Sequence, residues 1–279
     1  MITQITMTRN ELFLLREMLP IWQKYADSFV FFVDNSNDET YEFLQENKEK
    51  YNILSILSSH REDHELFIET DIRQALYDEA FKYSKNIICL DSDEYLDGNI
   101  DKKELEYILE NNRDCTFHLN WIQYTDIDTI RIDGPWENNL MDRIGSYEHR
   151  ALFNYAQMHS THLPSTNNNL IFDKNSLFIA HLQWLDKKTA AIKQYFWKIT
   201  DYINNLNHNI NTVPRSAYDS SVNDFDWKLS KFSYNLKIDP NIYSKLLDKD
   251  NYKLQFIKEQ TQKYNIPNLG DWGMNIYEK

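Results

Sequence analysis

Strand and helix signals alternate without a break over the first ~95 residues, and that alternation constrains the fold more than any other feature of the chain. Ile2 to Met7 is a short β-rich run. Glu11 to Tyr25 spaces Leu12, Leu15, Met18, Leu19 and Trp22 along one helical face. Ser28 to Val33 is almost continuously apolar, as in a parallel strand buried on both faces. Thr40 to Tyr51 predicts a helix and Ile53 to Leu57 a strand. Thr70 to Tyr83 predicts a helix through Ile72, Ala75, Leu76, Glu79, Ala80 and Tyr83, and Asn86 to Leu90 a further strand. A β-α-β-α-β-α-β order predicts a parallel sheet with right-handed crossovers, hence an α/β fold.

The last of these strands runs into Asp91-Ser92-Asp93-Glu94. In open α/β sheets, ligands bind outside the C-terminal strand edge. Carboxylates at i and i+2 leaving a strand can share one hard divalent cation and orient a phosphate, and both are expected at an exposed edge. A departing nucleoside diphosphate gains negative charge, which a Lewis acid stabilises. The same stretch also fits a calcium loop. Asp93, Asp97, Gly98, Ile100, Asp101 and Glu104 match EF-hand positions 1, 5, 6, 8, 9 and 12, with Tyr95 a poor ligand at position 3. Ile87 to Leu90 reads as strand rather than as an entering helix.

Composition narrows the function classes. A net charge of −13 argues against nonspecific nucleic-acid binding and docking on anionic lipid. The chain has five glycines and neither a G-x-G-x-x-G nor a P-loop pattern. Its two cysteines, Cys89 and Cys115, suit a reducing compartment, and a cytoplasmic location is expected. The N-terminus lacks a signal-peptide pattern, and no run reaches the roughly 18 apolar residues of a transmembrane segment.

Past residue 100 the pattern changes. Asp101 to Asn111 predicts a short helix and Thr116 to Tyr124 a partly exposed strand. Residues 126–149 read as polar and irregular, with Gly134-Pro135 marking a turn. Ala151 to Ala156, Asn169 to Phe172 and Leu177 to Leu182 are strand candidates, and Lys187 to Asn204 is a helix rich in aromatics. A weak linker falls at Thr212–Ser221, followed by a polar, mostly helical tail.

Four local patterns, in order, resemble a GT-A fold glycosyltransferase of family 2 or a family 2-like kind, over roughly residues 1–185. Thr8-Arg9-Asn10-Glu11 resembles that family's first loop. Val33-Asp34-Asn35-Ser36-Asn37-Asp38-Glu39-Thr40 resembles its second, with Glu39 where glycine is common. Arg73-Gln74 resembles an Arg-Asn pair, and Asp91-Ser92-Asp93 its D-x-D motif. The resemblance implies a Rossmann-like GT-A domain with a mostly parallel central sheet at 1–215 and a helical C-terminal extension at 216–279. It implies Mn2+ or Mg2+ on Asp91 and Asp93, with His181 as a third ligand. It implies a nucleotide diphosphate sugar donor contacted by Thr8, Arg9, Glu11, Asp34, Asn35, Ser36, Arg73 and Ser92. The acceptor, a glycan or other hydroxyl compound, would meet Trp121, Tyr124 and Trp136, since aromatic faces stack on sugar rings and also fill cores. An inverting transfer needs a carboxylate base, for which Asp142 and Glu137 are the candidates. The alternatives are a calcium-binding EF-hand-like module, or a nucleotidyltransferase. The latter would normally show a Gly-rich basic N-terminal loop that is absent here. His159 and His162 have chelating i, i+3 spacing, but Pro164 and the Ser/Thr context favour a plain loop.

Overall fold

The structure is a computed structural model that describes residues 1–59, 68–156, 160–208, 227–245 and 251–264. His159, the expected linker Thr212–Ser221 and the expected boundary at 215/216 lie outside the described residues. In chain order the elements are β1 (Ile2–Thr8), α1 (Leu12–Trp22), β2 (Ser28–Asp34), α2 (Thr40–Glu46), β3 (Ile53–Ser59), α3 (Glu69–Phe81), β4 (Asn86–Cys89), β5 (Glu94–Asp97), α4 (Lys102–Asn111) and β6 (Cys115–Asp126). Then follow β7 (Thr129–Arg131), β8 (Leu140–Ser146), β9 (Asn168–Ile171), β10 (Phe178–His181), α5 (Lys187–His208), β11 (Leu229–Lys231) and α6 (Tyr252–Tyr264). The chain divides into two compact units. Among the described residues, the first holds 1–59, 68–122, 135–156 and 160–181, and the second holds 123–134, 182–208, 227–245 and 251–264.

The first unit has the expected α/β core. Parallel strands run in the order β3-β2-β1-β4, pairing Thr8 with Val33 and Ile5 with Cys89. The alternation of side chains sends Val30 and Phe32 to one face and Phe29 and Phe31 to the other. Helix α3 covers the first face, where Ile5, Val30, Leu76, Tyr77, Ile87 and Cys89 share a core. Helix α1 covers the second, its Trp22 ring 6.3 Å from Phe29 and 6.4 Å from Phe31. Burying both faces explains the continuous apolar runs.

Beyond β4 the sheet turns antiparallel through β8 and β6, with β9 parallel on β6. Strands β5 and β8 fall where no strand was expected. Both carry charged residues, yet β5 is wholly buried and β8 buries Arg143, because Glu94 and Arg143 neutralise each other and Lys24 meets Asp97. Conversely, residues 151–156 form no strand. Their backbone bonds to α3 side chains instead: Ala151 N to Tyr77 Oη, Phe153 N to Gln74 Oε1 and Ala156 N to Thr70 Oγ1.

The second unit pairs β7 with β11 and with the C-terminal end of β6. Helices α5 and α6 pack through Phe196, whose ring lies 4.9 Å from Phe256. The Arg131 guanidinium sits 4.6 Å from the Trp184 ring and 4.8 Å from the Trp227 ring, and it pairs with Asp133. Among the described residues, no helix is long and apolar enough to cross a membrane. Cys89 and Cys115 are buried free thiols.

Candidate active site

Parallel pairing gathers the C-terminal ends of β1, β2 and β4, with Thr8, Asp34 and Asp91, at one edge of the first unit. The first two loops there are tied together. Ser36 Oγ accepts from Asn10 N at 3.0 Å, Asn10 Oδ1 from Asn37 N at 2.7 Å and Asp38 Oδ2 from Leu12 N at 3.0 Å. Asn10 and Asn35 take positive φ values of 51° and 45°, a region asparagine tolerates better than most residues. Asp34 is buried, accepts from Ser59 Oγ at 2.6 Å and pairs with Arg9 at 3.7 Å. Glu11 is the residue preceding α1, and its carbonyl accepts from Leu14 N and Leu15 N. Thr8 Oγ1 and Ser92 Oγ are buried hydroxyls with no protein hydrogen-bond partner.

The acidic motif spans a turn from β4 into β5, so its two aspartates meet different surroundings. Asp91 keeps 35% of its side chain exposed. Its Oδ2 lies 3.2 Å from His162 Nε2 and its Oδ1 3.5 Å from Arg73 Nη2. Arg73 lies inside α3, where Glu69 Oε1 accepts from its Nε at 2.7 Å and Cys89 Sγ from its Nη1 at 3.3 Å. Burial alone would raise the Asp91 carboxyl. His162, through its electrostatic pull and its hydrogen bond, and then the charges of Arg73 and Arg143 outweigh it and hold Asp91 well below the usual carboxylate range. Burial and the two arginines push His162 below its ordinary value, against the pull of Asp91, so at neutral pH the ring is uncharged.

Asp93 is only 5% exposed at its side chain, and its Oδ2 lies 3.4 Å from His181 Nε2. The expectation of two exposed carboxylates therefore holds for Asp91 alone. Strand β5 pairs with β10 so that His181 faces Glu94 across the ladder. The His181 ring stacks on Trp121 at 4.4 Å and 23°, and Trp121 meets Trp136 at 5.7 Å. Glu94, fully buried, anchors this side. It accepts from Arg143 Nε at 2.8 Å, Arg143 Nη2 at 2.7 Å, Trp121 Nε1 at 2.7 Å and Asp91 N at 3.1 Å. Each arginine thus bonds a glutamate, and each aspartate lies beside an imidazole.

The structure does not bring all the expected residues together. Asp91, Asp93 and His181 do not converge, and among the described residues no group of three or more His, Cys, Asp or Glu side chains forms a metal cage. Asp142 precedes Arg143 on β8 at a register irregularity against β6 and is half-buried. Glu137 is exposed and follows Trp136. Tyr124 belongs to the second unit. It is fully buried, donates to Tyr234 O at 2.8 Å and packs on Phe232. The EF-hand reading fails on geometry. Four of its loop residues form β5, Asp97 is held by Lys24 at 2.8 Å, and Asp101 caps α4 by accepting from Glu104 N at 2.9 Å. His162 and Glu94 are the residues that sequence reasoning missed. The i, i+3 spacing had flagged His162, but as a chelator on a helix.

No protein-family profile matches the sequence, and no curated protein matches it. Among solved structures, the chain is similar to a nucleoside-diphosphate-sugar pyrophosphorylase from Vibrio cholerae RC9, with a TM-score of 0.29 and 13% identity over 70% of this chain and 78% of that one. It is also similar to a Bacillus anthracis protein described as a glucose-1-phosphate thymidylyltransferase, in complex with a sucrose, with a TM-score of 0.32 and 7% identity over 98% of each chain. At these TM-scores the likeness carries no weight for fold or function.

Proposed function

We propose that the acidic edge binds a nucleotide diphosphate sugar and that the protein transfers the sugar to a hydroxyl acceptor. The observation that carries this reading is the pair Asp91 and Asp93 at the C-terminal edge of a parallel sheet, with the neighbouring glutamates already neutralised by Arg73 and Arg143. Carboxylates at such an edge suit an ion that arrives with its substrate, since Mg2+ is commonly held by one or two carboxylates while substrate phosphates supply other ligands. Asp91 and Asp93 would hold the ion, which when bound would stabilise the negative charge of the departing diphosphate. The buried hydroxyls of Thr8 and Ser92 support the same reading, since an acceptor oxygen from a ligand would relieve an unmet hydrogen bond of about 1–3 kcal/mol each.

Asp34, buried and fixed by Arg9 and Ser59, is oriented to accept from a base N–H or ribose hydroxyl. Ser36 and Asn35 shape that loop. Trp121 and Trp136 offer aromatic surface for a sugar acceptor, and Glu137, next to Trp136 in the chain, and Asp142 are the candidate bases. Inversion at the sugar carbon belongs to this proposal, as does a domain boundary near residue 215. Nucleotidyl transfer is the second reading, since paired carboxylates serve it equally well.

One experiment separates the readings. The protein is incubated with a panel of nucleotide sugars and Mn2+, with EDTA as control. Release of nucleoside diphosphate supports glycosyl transfer. Formation of nucleoside triphosphate on adding pyrophosphate supports nucleotidyl transfer, and activity unchanged by EDTA refutes the metal assignment.

A further inference from the structure

We infer that His162 is a positioning residue for Asp91, exchanging one hydrogen bond for another when a ligand takes the carboxylate. The inference rests on the reading of Asp91 as a ligand-binding group. His162 Nε2 lies 3.2 Å from Asp91 Oδ2 and 3.1 Å from Arg73 Nη2. Arginine only donates and an ionised carboxylate only accepts, so the single nitrogen between them can serve one at a time. With its proton on Nε2, the ring donates to Asp91, and Arg73 turns to Asp91 Oδ1. With the proton on Nδ1, Nε2 accepts from Arg73 and Asp91 Oδ2 is released. The imidazole keeps one proton in both states, and Arg73 keeps its bond to Glu69.

The surroundings hold His162 in place for this exchange. Leu163 is fully buried in the α3 core, Ser160 N donates to Glu69 Oε2 at 3.4 Å, and the side chain of His162 is 10% exposed. Glu69 therefore fixes both Arg73 and the segment that carries His162. When a cation engages Asp91, Arg73 supplies a donor for the ring nitrogen, so the displaced imidazole is not left unpaired in the interior. Partners of this kind orient a metal-binding carboxylate, and their loss typically lowers metal affinity about 10–100-fold.

The test has two arms. Imidazole nitrogen NMR at neutral pH compares the ligand-free protein with Asp91→Ala. The expected result is a proton on His162 Nε2 in the wild type and on Nδ1 in Asp91→Ala, where only Arg73 remains as partner. A wild-type ring already protonated on Nδ1, or no change in the variant, overturns the inference. The second arm measures UDP binding with and without Mg2+ by calorimetry in His162→Gln and His162→Phe. Phenylalanine should weaken the Mg2+-dependent part by about 10–100-fold and leave metal-free binding unchanged, while glutamine, which can donate to Asp91 or accept from Arg73, restores most of the loss. Equal loss with and without Mg2+ marks a merely structural residue and overturns the inference. A wild type that binds no Mg2+–UDP counts against the nucleotide reading, and the NMR arm still decides the case of His162.

Discussion

Asp91 and Asp93 stand two residues apart in one motif, yet they belong to differently built corners. The Asp91 corner is half open, and N–H donors from α3 and from residue 162 meet one carboxylate. The Asp93 corner is closed: an imidazole stacked on a tryptophan, over a glutamate that bonds an arginine twice. The difference arises because the motif does not continue a strand. It turns from β4 into β5, and β5 delivers Glu94 to β8 and His181 to Asp93. A spacing of i and i+2 therefore does not mean two equivalent ligands. The two aspartates would meet a ligand from different surroundings, Asp91 from a half-open corner and Asp93 from a buried one.

The largest expected effect breaks the closed corner. Arg143→Ala strands a fully buried Glu94 and should cost about 3–5 kcal/mol of stability, read from chemical denaturation. A loss below about 1 kcal/mol would mean that the closed corner is not a frame at all. A smaller contrast follows between the aspartates themselves. Asp93→Ala removes a buried contact to His181 and should cost about 1–3 kcal/mol. Asp91→Ala should cost less than about 1 kcal/mol, because Arg73 retains Glu69 and the side chain is partly in water. Equal losses would erase the distinction between the corners.

These corners also mark where the sequence stops being legible. The parallel half could be read because β2 and β4 are buried among apolar neighbours and their apolar runs report that directly, while β1 shows as a β-rich run of Ile, Thr and Met. Strand β8, Leu-Met-Asp-Arg-Ile-Gly-Ser, lies against β4 but buries an arginine, and β5 buries a glutamate and an aspartate. Charge neutralised by a partner many residues away leaves no periodic signal. The same reason hid Glu94, whose partner Arg143 lies 49 residues on, and His162, whose partner Asp91 lies 71 residues back. Asp91, Asp93 and His181 were visible as candidates because they flank strands, but their sorting into two pairs was not.

Acid should sharpen the contrast next. His162 is held below its ordinary value of 6.5, so the unfolded chain takes up that proton first, and stability is lost as pH falls below about 6.5. Glu69 and Asp91, both held below their ordinary values of 4.5 and 3.8, add stability present above those values and lost as pH falls further. Thermal melts from neutral to acid pH should decline in two stages, and His162→Gln should remove the first. An unchanged upper stage in that variant would contradict the assignment. The smallest effect is a control on ion pairs in general. Arg150 and Asp78 form an exposed pair at 2.6 Å, and Arg150→Ala should leave stability nearly unchanged, unlike Arg143→Ala.

The central claim is that this edge binds a nucleoside diphosphate through a cation on the two aspartates. Calorimetry with UDP, GDP, CDP and dTDP, each with Mn2+ and with EDTA, tests it most directly in the wild type, Asp91→Asn and Asp93→Asn. The account predicts that one nucleotide binds the wild type at least about tenfold more tightly with Mn2+ than with EDTA, a difference of about 1.4 kcal/mol, and that both variants lose this gain while remaining folded. Binding that is indifferent to Mn2+, or that survives in both variants, would contradict it.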